Sequence, residues 1–333
     1  MPTIQMLRTS ERGTFKECPQ KWQWSTNEGL AAKRDSNPLW FGQGIHIALA
    51  EWYRNGRERG PHPADTWEDF CADEERYIPT EYDEDGAKFV EAKELGITMM
   101  EGYVDKYGED EHWDVIATEQ TFRLLIADPR VPRQANGKLK ALVRYVGTFD
   151  GVYRDLGTGE IFLMEHKTAA GISTAHLPLD DQAGSYWYVA TRVLRKQGLI
   201  GPREEIAGIQ YNFMRKGLPD DRPTNERGES LNKNGSVSKT QPAPLFVREV
   251  DWKSQGNREN MERRIQAEAM HMEAMRNGTL PIYKRPQRDC SWRCEFYKMC
   301  MLDEAGADVE EYKEAVYRKR DPYGDHRDTR KAA

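Results

Sequence analysis

The spacing of apolar positions divides the chain into a helical first third and a strand-rich middle. Positions 40–53 carry Phe41, Ile45, Leu49 and Trp52 at intervals of three and four, the period of one buried helix face. Positions 65–77 and 86–107 repeat the pattern, and the second run ends at Gly108, which suits a left-handed helix cap. A short helix is expected near 10–16 with Ser10 as its cap. From 114 the pattern switches to alternation with β-branched residues. Strands are predicted at 114–126, 142–155 and 160–168, the last two joined by the turn Leu156-Gly157-Thr158-Gly159. A helix at 180–197 stops at Gly198, and a strand follows at 206–214. Positions 216–244 are rich in Gly, Pro, Asn and Ser and read as a long exposed loop or the tip of a β-ribbon. A returning strand at 245–252 and a charged helix at 258–276 come next. Beyond Leu302 charge predominates, which predicts a frayed helix or tail. This order predicts an α/β core with helical additions. The boundaries are a helical region at 1–112, a core at 113–280, a cysteine-rich segment at 281–302 and a charged tail at 303–333.

Composition narrows the classes. The chain has 333 residues, 38% hydrophobic and 31% charged, enough to build a core. It has no apolar run near the roughly 18 residues that span a bilayer. Nothing at the N-terminus reads as a secretory segment, which predicts a cytoplasmic protein without membrane contact. A net charge of −6 argues against a nucleic-acid coat but not against an enzyme with a local basic groove. Of five cysteines, Cys18 and Cys71 stand apart in sequence, whereas Cys290, Cys294 and Cys300 are close together. In a cytosolic chain this favours metal binding over disulfides.

The chemistry concentrates on Asp150, Glu165 and Lys167. Residues i and i+2 of a strand point to one face, so Glu165 and Lys167 project together. Asp150 lies on the other strand of the predicted hairpin, within reach of the same spot. Two carboxylates hold a divalent cation through hard oxygen atoms. A lysine beside that cation can orient or deprotonate a water and steady developing negative charge. Phosphodiester hydrolysis needs this set. Glu-x-Lys alone is common on solvent-facing strands. Here it ends the unbroken apolar run 161–164, a strand expected to be buried on both faces.

The run Gly147-Thr-Phe-Asp150-Gly-Val, a hairpin, and Phe162-Leu-Met-Glu165-His-Lys167-Thr resembles motifs II and III of the PD-(D/E)xK nucleases, in particular their RecB-like branch. Gly42-Gln-Gly-Ile-His46 fits that branch's upstream Gly-x-x-x-His. Gln182-Ala-Gly-Ser-Tyr186 fits its Gln-x-x-x-Tyr. Glu119 sits where the family often has a glutamate on its first core strand. The resemblance implies a restriction-endonuclease-like core, a mixed central sheet flanked by helices. It implies that His46, Asp150 and Glu165 ligate Mg²⁺ or Mn²⁺, that Lys167 positions the attacking water, and that Gln182 and Tyr186 contact DNA. Each of these has a plainer reading as core or surface packing; their joint occurrence in order favours the site.

Cys290-x-x-x-Cys294-x-x-x-x-x-Cys300 has metal-type spacing but lacks the second close pair usual for zinc. Three close cysteines and one distant one can hold a 4Fe–4S cluster, and Cys18, in Cys18-Pro-Gln-Lys-Trp22, is the candidate fourth. The arrangement resembles the AddB-type and CRISPR-associated iron–sulfur nucleases, although their spacing more often begins Cys-x-x-Cys. Arg293 and Lys298, beside Trp292, Phe296 and Tyr297, suit phosphate neutralisation with base stacking. The loop adds Arg215, Lys216, Arg222, Arg227, Lys233 and Lys239. The resemblance, with no helicase P-loop, points to a stand-alone exonuclease acting on single-stranded DNA or DNA ends. It implies recombination, repair or CRISPR or phage DNA processing in a bacterial or phage-infected cell, with recombination or replication proteins as partners. Related nucleases include monomers and rings. Two other readings use the same residues: a catalytically silent DNA-binding or scaffold module, and a zinc-stabilised endonuclease.

Overall fold

The computed structural model describes residues 4–33, 37–54, 56–75, 84–133 and 137–327. A mixed sheet forms its centre, with helices on both faces. The long strands β3 (Trp113–Ala127) and β4 (Ala141–Asp155) pair antiparallel along nearly their whole length. The opposite edge of β4 is shared. Its first part takes the short parallel strand β1 (Met6–Leu7) at Arg144 and Tyr145. Its last part takes β5 (Ile161–Ala169), paired only from Gly151–Met164 to Arg154–Ile161. Beyond β5 lie β6 (Ile206–Arg215), parallel to it, and β7 (Phe246–Trp252), antiparallel to β6.

The turn after β4 forms as its sequence predicts. The Asp155 carboxylate accepts from the N–H groups of Gly157 and Thr158, and Gly159 adopts φ +78°. β5 and β6 are parallel, so their connection must cross over a sheet face. It does so through α6 (Asp181–Gln197), capped by the Asp180 side chain and stopped by Gly198 at φ +73°. α6 and α7 (Gln255–Arg276) cover one face through Leu163, Tyr188, Val189, Ile209 and Ile265. The other face is covered by α3 (Asn37–Trp52), α4 (Pro63–Glu75) and α5 (Glu84–Tyr107), around Phe41, Ile45, Leu49, Trp52 and the fully buried Trp67. Packing here is tight: a Cβ on Gly44 would meet the Phe70 ring at 2.5 Å, and one on Gly96 the Trp67 ring at 2.2 Å.

Several expectations need correction. The first helix, α1 (Thr9–Glu17), begins before Ser10, and Arg8 at its cap makes no side-chain cap bond. Thr9 sets the start instead, because its hydroxyl bonds Tyr145 and Ser185 in the core. Cys18 then leads into the short α2 (Pro19–Trp22). α7 starts ahead of 258 because Ser254 and Asn257 form a capping box. The predicted helix at 65–77 ends at Glu75, and 76–77 lie outside the described residues. Among the described residues after Leu302, which end at Arg327, the chain is folded and not frayed, while 328–333 lie outside them. α8 (Cys290–Arg293) leads to α9 (Tyr297–Glu304), which is followed by α10 (Glu310–Val316) and β8 (Tyr317–Lys319). β8 pairs antiparallel with β2 (Leu30–Ala32), and Val309, Tyr317 and Tyr323 are buried. The 216–244 segment is a compact tip: Thr224 bridges Ser230, Leu231 bridges Val237, and Ser230 is 1% exposed.

Candidate active site

The site forms where β4 and β5 part. Asp150 stands one residue beyond the last β4–β5 pair, and its Oδ2 accepts the His166 main-chain N–H at 2.8 Å. The carboxylate thus takes over the ladder bond that the departing strand leaves open. On the other side of β4, the register places Glu119 opposite Asp150, between the pairs Thr118–Gly151 and Gln120–Phe149. Glu119 has φ +44°, a left-handed conformation unusual for a side chain of its kind. Such strain persists where surrounding contacts impose it and marks candidate functional positions. α3 brings His46 from the third direction, with Nδ1 3.5 Å from Asp150 Oδ1. Ligand atoms of His46, Glu119 and Asp150 all lie within 4.8 Å of one another.

Glu165 and Lys167 project to one side of β5, as the strand period requires, with Lys167 Nζ 2.6 Å from Glu165 Oε1. The strand is buried from Ile161 through His166, so these charges end a segment enclosed on both faces. Lys167 also donates to Gln182 Oε1 at 3.0 Å, which brings the first turn of α6 to the site. Tyr186, one turn further along, lies edge-on to Phe122 and Phe149 and is half-buried. Its ring is chiefly a packing element, while Gln182 is exposed.

The electrostatics show carboxylates crowded together around His46. Burial and the neighbouring Asp150 push Glu165 up to about 7, against the pull of Lys167. Loss of hydration and Asp150 push Glu119 up to about 7 as well, although its side chain still reaches solvent. Burial would lower His46, but Asp150, Glu165 and Glu119 outweigh it and hold the imidazole at about 9. Asp150, also buried, is held below its ordinary range by His46. One imidazole nitrogen with several carboxylate oxygens suits Mg²⁺ or Mn²⁺.

The sequence reading had singled out neither His166 nor Asn212. His166 is 4% exposed and points away from Glu165, stacking on Tyr53 with centroids 6.3 Å apart. Burial, with His46 and Arg248 nearby, pushes it down to about 3. No local sequence signal marks Asn212, 46 positions away, whose Nδ2 lies 2.9 Å from His166 Nδ1.

Cys18 and the 285–300 segment meet from opposite ends of the chain. The Arg285 N–H points at Cys18 Sγ at 3.4 Å, and the Gln287 N–H at Cys290 Sγ at 3.2 Å. Burial pushes the Cys294 and Cys300 thiols up, with Cys18 and Cys290 close enough to add to the shift. Among the described residues, no three of these sulfurs gather within 4.8 Å as the His46 group does. Cys71 is buried in α4. Trp22 and Trp24 are buried, and so is Phe296, which removes it from the stacking surface. Arg293, Lys298 and Trp292 remain exposed. In the loop, Arg222 is held by Asp220, Arg215 by the carbonyls of Ala243 and Pro244, and Lys216 lies over the Phe41 ring. Arg227, Lys233 and Lys239 are exposed.

A mixed sheet between helical layers, with a carboxylate–lysine set at a strand divergence, defines a restriction-endonuclease-like protein. The chain matches the model of the PD-(D/E)XK nuclease superfamily over residues 9–301 and belongs to that superfamily. These are nucleases that use divalent metals, with DNA as substrate. Comparison with curated proteins returned no match. No helix among the described residues is long and apolar enough to cross a membrane.

Proposed function

We propose that the chain is a DNA exonuclease of the RecB-like branch. It hydrolyses phosphodiester bonds of single-stranded DNA or DNA ends during recombination, repair or CRISPR or phage DNA processing. The observation that carries this is the meeting of His46, Glu119 and Asp150 beside the Lys167–Glu165 pair. His46, Asp150 and Glu165 would hold Mg²⁺ or Mn²⁺, with Glu119 added to the set. The bound cation would supply Lewis-acid stabilisation of the phosphoryl oxygens and a more acidic water. Lys167, half-buried against Glu165, would hold an ammonium where a water and a scissile phosphate sit. Gln182 accepts from Lys167 and presents its amide N–H to the DNA; Tyr186 backs that helix face. Arg293 and Lys298, with exposed Trp292, offer a path for the strand.

The helical region 1–112 then supplies His46 and the first cysteine, 113–280 is the nuclease core, and 281–302 closes a 4Fe–4S cluster on Cys18, Cys290, Cys294 and Cys300. Residues 303–327 fold back as a clasp through β8. One feature supports the cluster: main-chain N–H groups aimed at Cys18 and Cys290 are donors of the kind that tune iron–sulfur thiolates.

Linear and circular single-stranded DNA of the same sequence, incubated with Mn²⁺, separate the modes of cleavage. The linear form is expected to disappear and the circle to persist; a cut circle would make the protein an endonuclease. Metal binding is expected to depend on pH with a defined sign. Ligation needs a neutral His46 and ionised glutamates, whose metal-free values lie at about 9 and about 7. Binding below those values must expel protons. Apparent Mn²⁺ affinity therefore rises about tenfold per pH unit from 7 to 9, and more steeply below 7. Calorimetric titration at pH 6, 7, 8 and 9 checks this, and a flat profile would remove these residues from the ligand set.

A further inference from the structure

Behind the carboxylates, on the α3–α5 side of the sheet, runs a chain of buried polar groups whose proton order can be worked out. Arg248 on β7 can only donate. It gives Nη1 to Asp110 Oδ1 at 2.6 Å, and the two hydrogens of Nη2 are shared among Asp110 Oδ2 at 2.8 Å, Tyr103 OH at 2.7 Å and Tyr53 OH at 3.0 Å. Asp110, ion-paired to it, can only accept. Tyr53 OH lies 2.6 Å from Asp110 Oδ2 and must donate there. Its proton is thereby used, so at the 2.7 Å contact between the two hydroxyls Tyr103 must donate to Tyr53. Tyr103 then has no proton left for Asn212, 2.9 Å away, and must accept from the Asn212 amide nitrogen. The other hydrogen of that nitrogen faces His166 Nδ1 at 2.9 Å, which must accept in turn. His166 is therefore a neutral ring carrying its proton on Nε2.

The opposite orientation of the Asn212 amide fails. Tyr103 would have to donate to it, leaving two hydroxyl oxygens 2.7 Å apart with no proton between them. The structure accepts a cost for the orientation it has, since Asn212 Oδ1 is buried without a partner. Asp110 is itself held at φ +48°, a strained position for a non-glycine residue. The Arg248 guanidinium is clamped over the Tyr107 ring at 3.6 Å and the Trp113 ring at 4.4 Å.

The chain ends on the elements that carry the metal site. Tyr53 directly follows α3, the helix of His46. The His166 main-chain N–H holds Asp150, and its ring lies edge-on to that of His46 at 5.8 Å. We propose that Asn212, with Tyr53, Tyr103, Asp110 and Arg248, forms a positioning relay: it locks His166 in the Nε2–H tautomer and fixes the distance between α3 and β5 at which His46 meets Asp150. The proposal rests on the metal-site reading above.

Two measurements test it on the full-length protein. Nitrogen NMR of ¹⁵N-histidine-labelled wild type, with His166 assigned by its loss in His166→Gln, is expected to show the proton on Nε2; a proton on Nδ1 overturns the relay. In Asn212→Asp the carboxylate can only accept, so the ring proton is expected to move to Nδ1. Mn²⁺ affinity, read from the free-ion electron paramagnetic resonance signal, is expected to weaken about tenfold, the low end of the effect of removing a direct partner of a metal ligand, because Asn212 acts one residue further out, through His166. Affinity within twofold of wild type in a folded variant overturns the proposal. If Asn212→Asp does not fold, Tyr103→Phe takes its place, with severalfold weakening expected and unchanged affinity counting against the relay. Wild type that binds no Mn²⁺ would instead defeat the metal-site reading, while the tautomer still decides the hydrogen-bond chain.

Discussion

Lys167→Ala is expected to lower DNA cleavage at saturating Mn²⁺ by at least about 10²- to 10³-fold, the scale seen when one group stabilising transition-state charge is removed. Lys167 is the one cation within hydrogen-bond distance of Glu165 among the described residues, at 2.6 Å, and it also touches Gln182. The substitution leaves Glu165, 3% exposed, without its counter-charge. Glu165 is already pushed up to about 7, so the variant can respond by keeping a proton. An acid whose folded pKa lies above its unfolded value binds more protons when folded, and stability then falls as pH rises above the unfolded value. Losing Lys167 raises the folded value further. Without divalent metal, the variant is therefore expected to match wild type in urea midpoint near pH 6 and to fall below it near pH 8. A variant that unfolds equally early at both pH values and keeps its turnover would make Lys167 a packing residue.

The second large effect concerns the cysteines. Cys18→Ser or Cys300→Ser is expected to abolish iron and acid-labile sulfide, whereas Cys71→Ser, in the α3–α5 core, should retain both. By chain entropy alone, a tether joining positions 18 and 290 would contribute about 6 kcal/mol. The two ends are already docked without it. Arg12 meets Glu268 at 2.5 Å, Arg276 meets Glu11 at 2.6 Å, Arg285 donates to the Lys16 carbonyl at 2.6 Å, and β2 pairs with β8. The expected loss is accordingly about 2 kcal/mol, a fall of a few degrees in thermal midpoint. Full iron in Cys18→Ser would exclude Cys18 as a ligand, and stoichiometric zinc in wild type would replace the cluster altogether.

The parts of the molecule that were legible in the sequence are those governed by local period. The faces of α3 and α5, the Gly159 turn, the Gly198 cap and the shared side of Glu165 and Lys167 all follow from neighbours a few positions apart. His46, Glu119 and Gln182 were reachable only through the family pattern, because helix and strand periods do not say which distant elements converge. Three features escaped both. The clasp of β2 on β8 joins Leu30 to Lys319, and its buried Val309, Tyr317 and Tyr323 are too sparse among charges to show a period. The strain at Glu119 arises from its place opposite Asp150, not from its own residue type. The relay from Arg248 to His166 is built from single residues on α5, β5, β6, β7, the 108–112 turn and the end of α3. Each of them looks, in sequence, like an ordinary surface or core position.

The proposed reaction is metal-dependent hydrolysis at the divergence of β4 and β5. Its most direct test is release of nucleotides from end-labelled single-stranded DNA by anaerobically purified full-length protein, in Mn²⁺ and in EDTA, beside Asp150→Asn. That variant keeps an acceptor for the His166 N–H but loses the charge. Release in Mn²⁺ by wild type, with none in EDTA and none in the variant, is the predicted result; release that persists in EDTA or in Asp150→Asn would place the chemistry elsewhere.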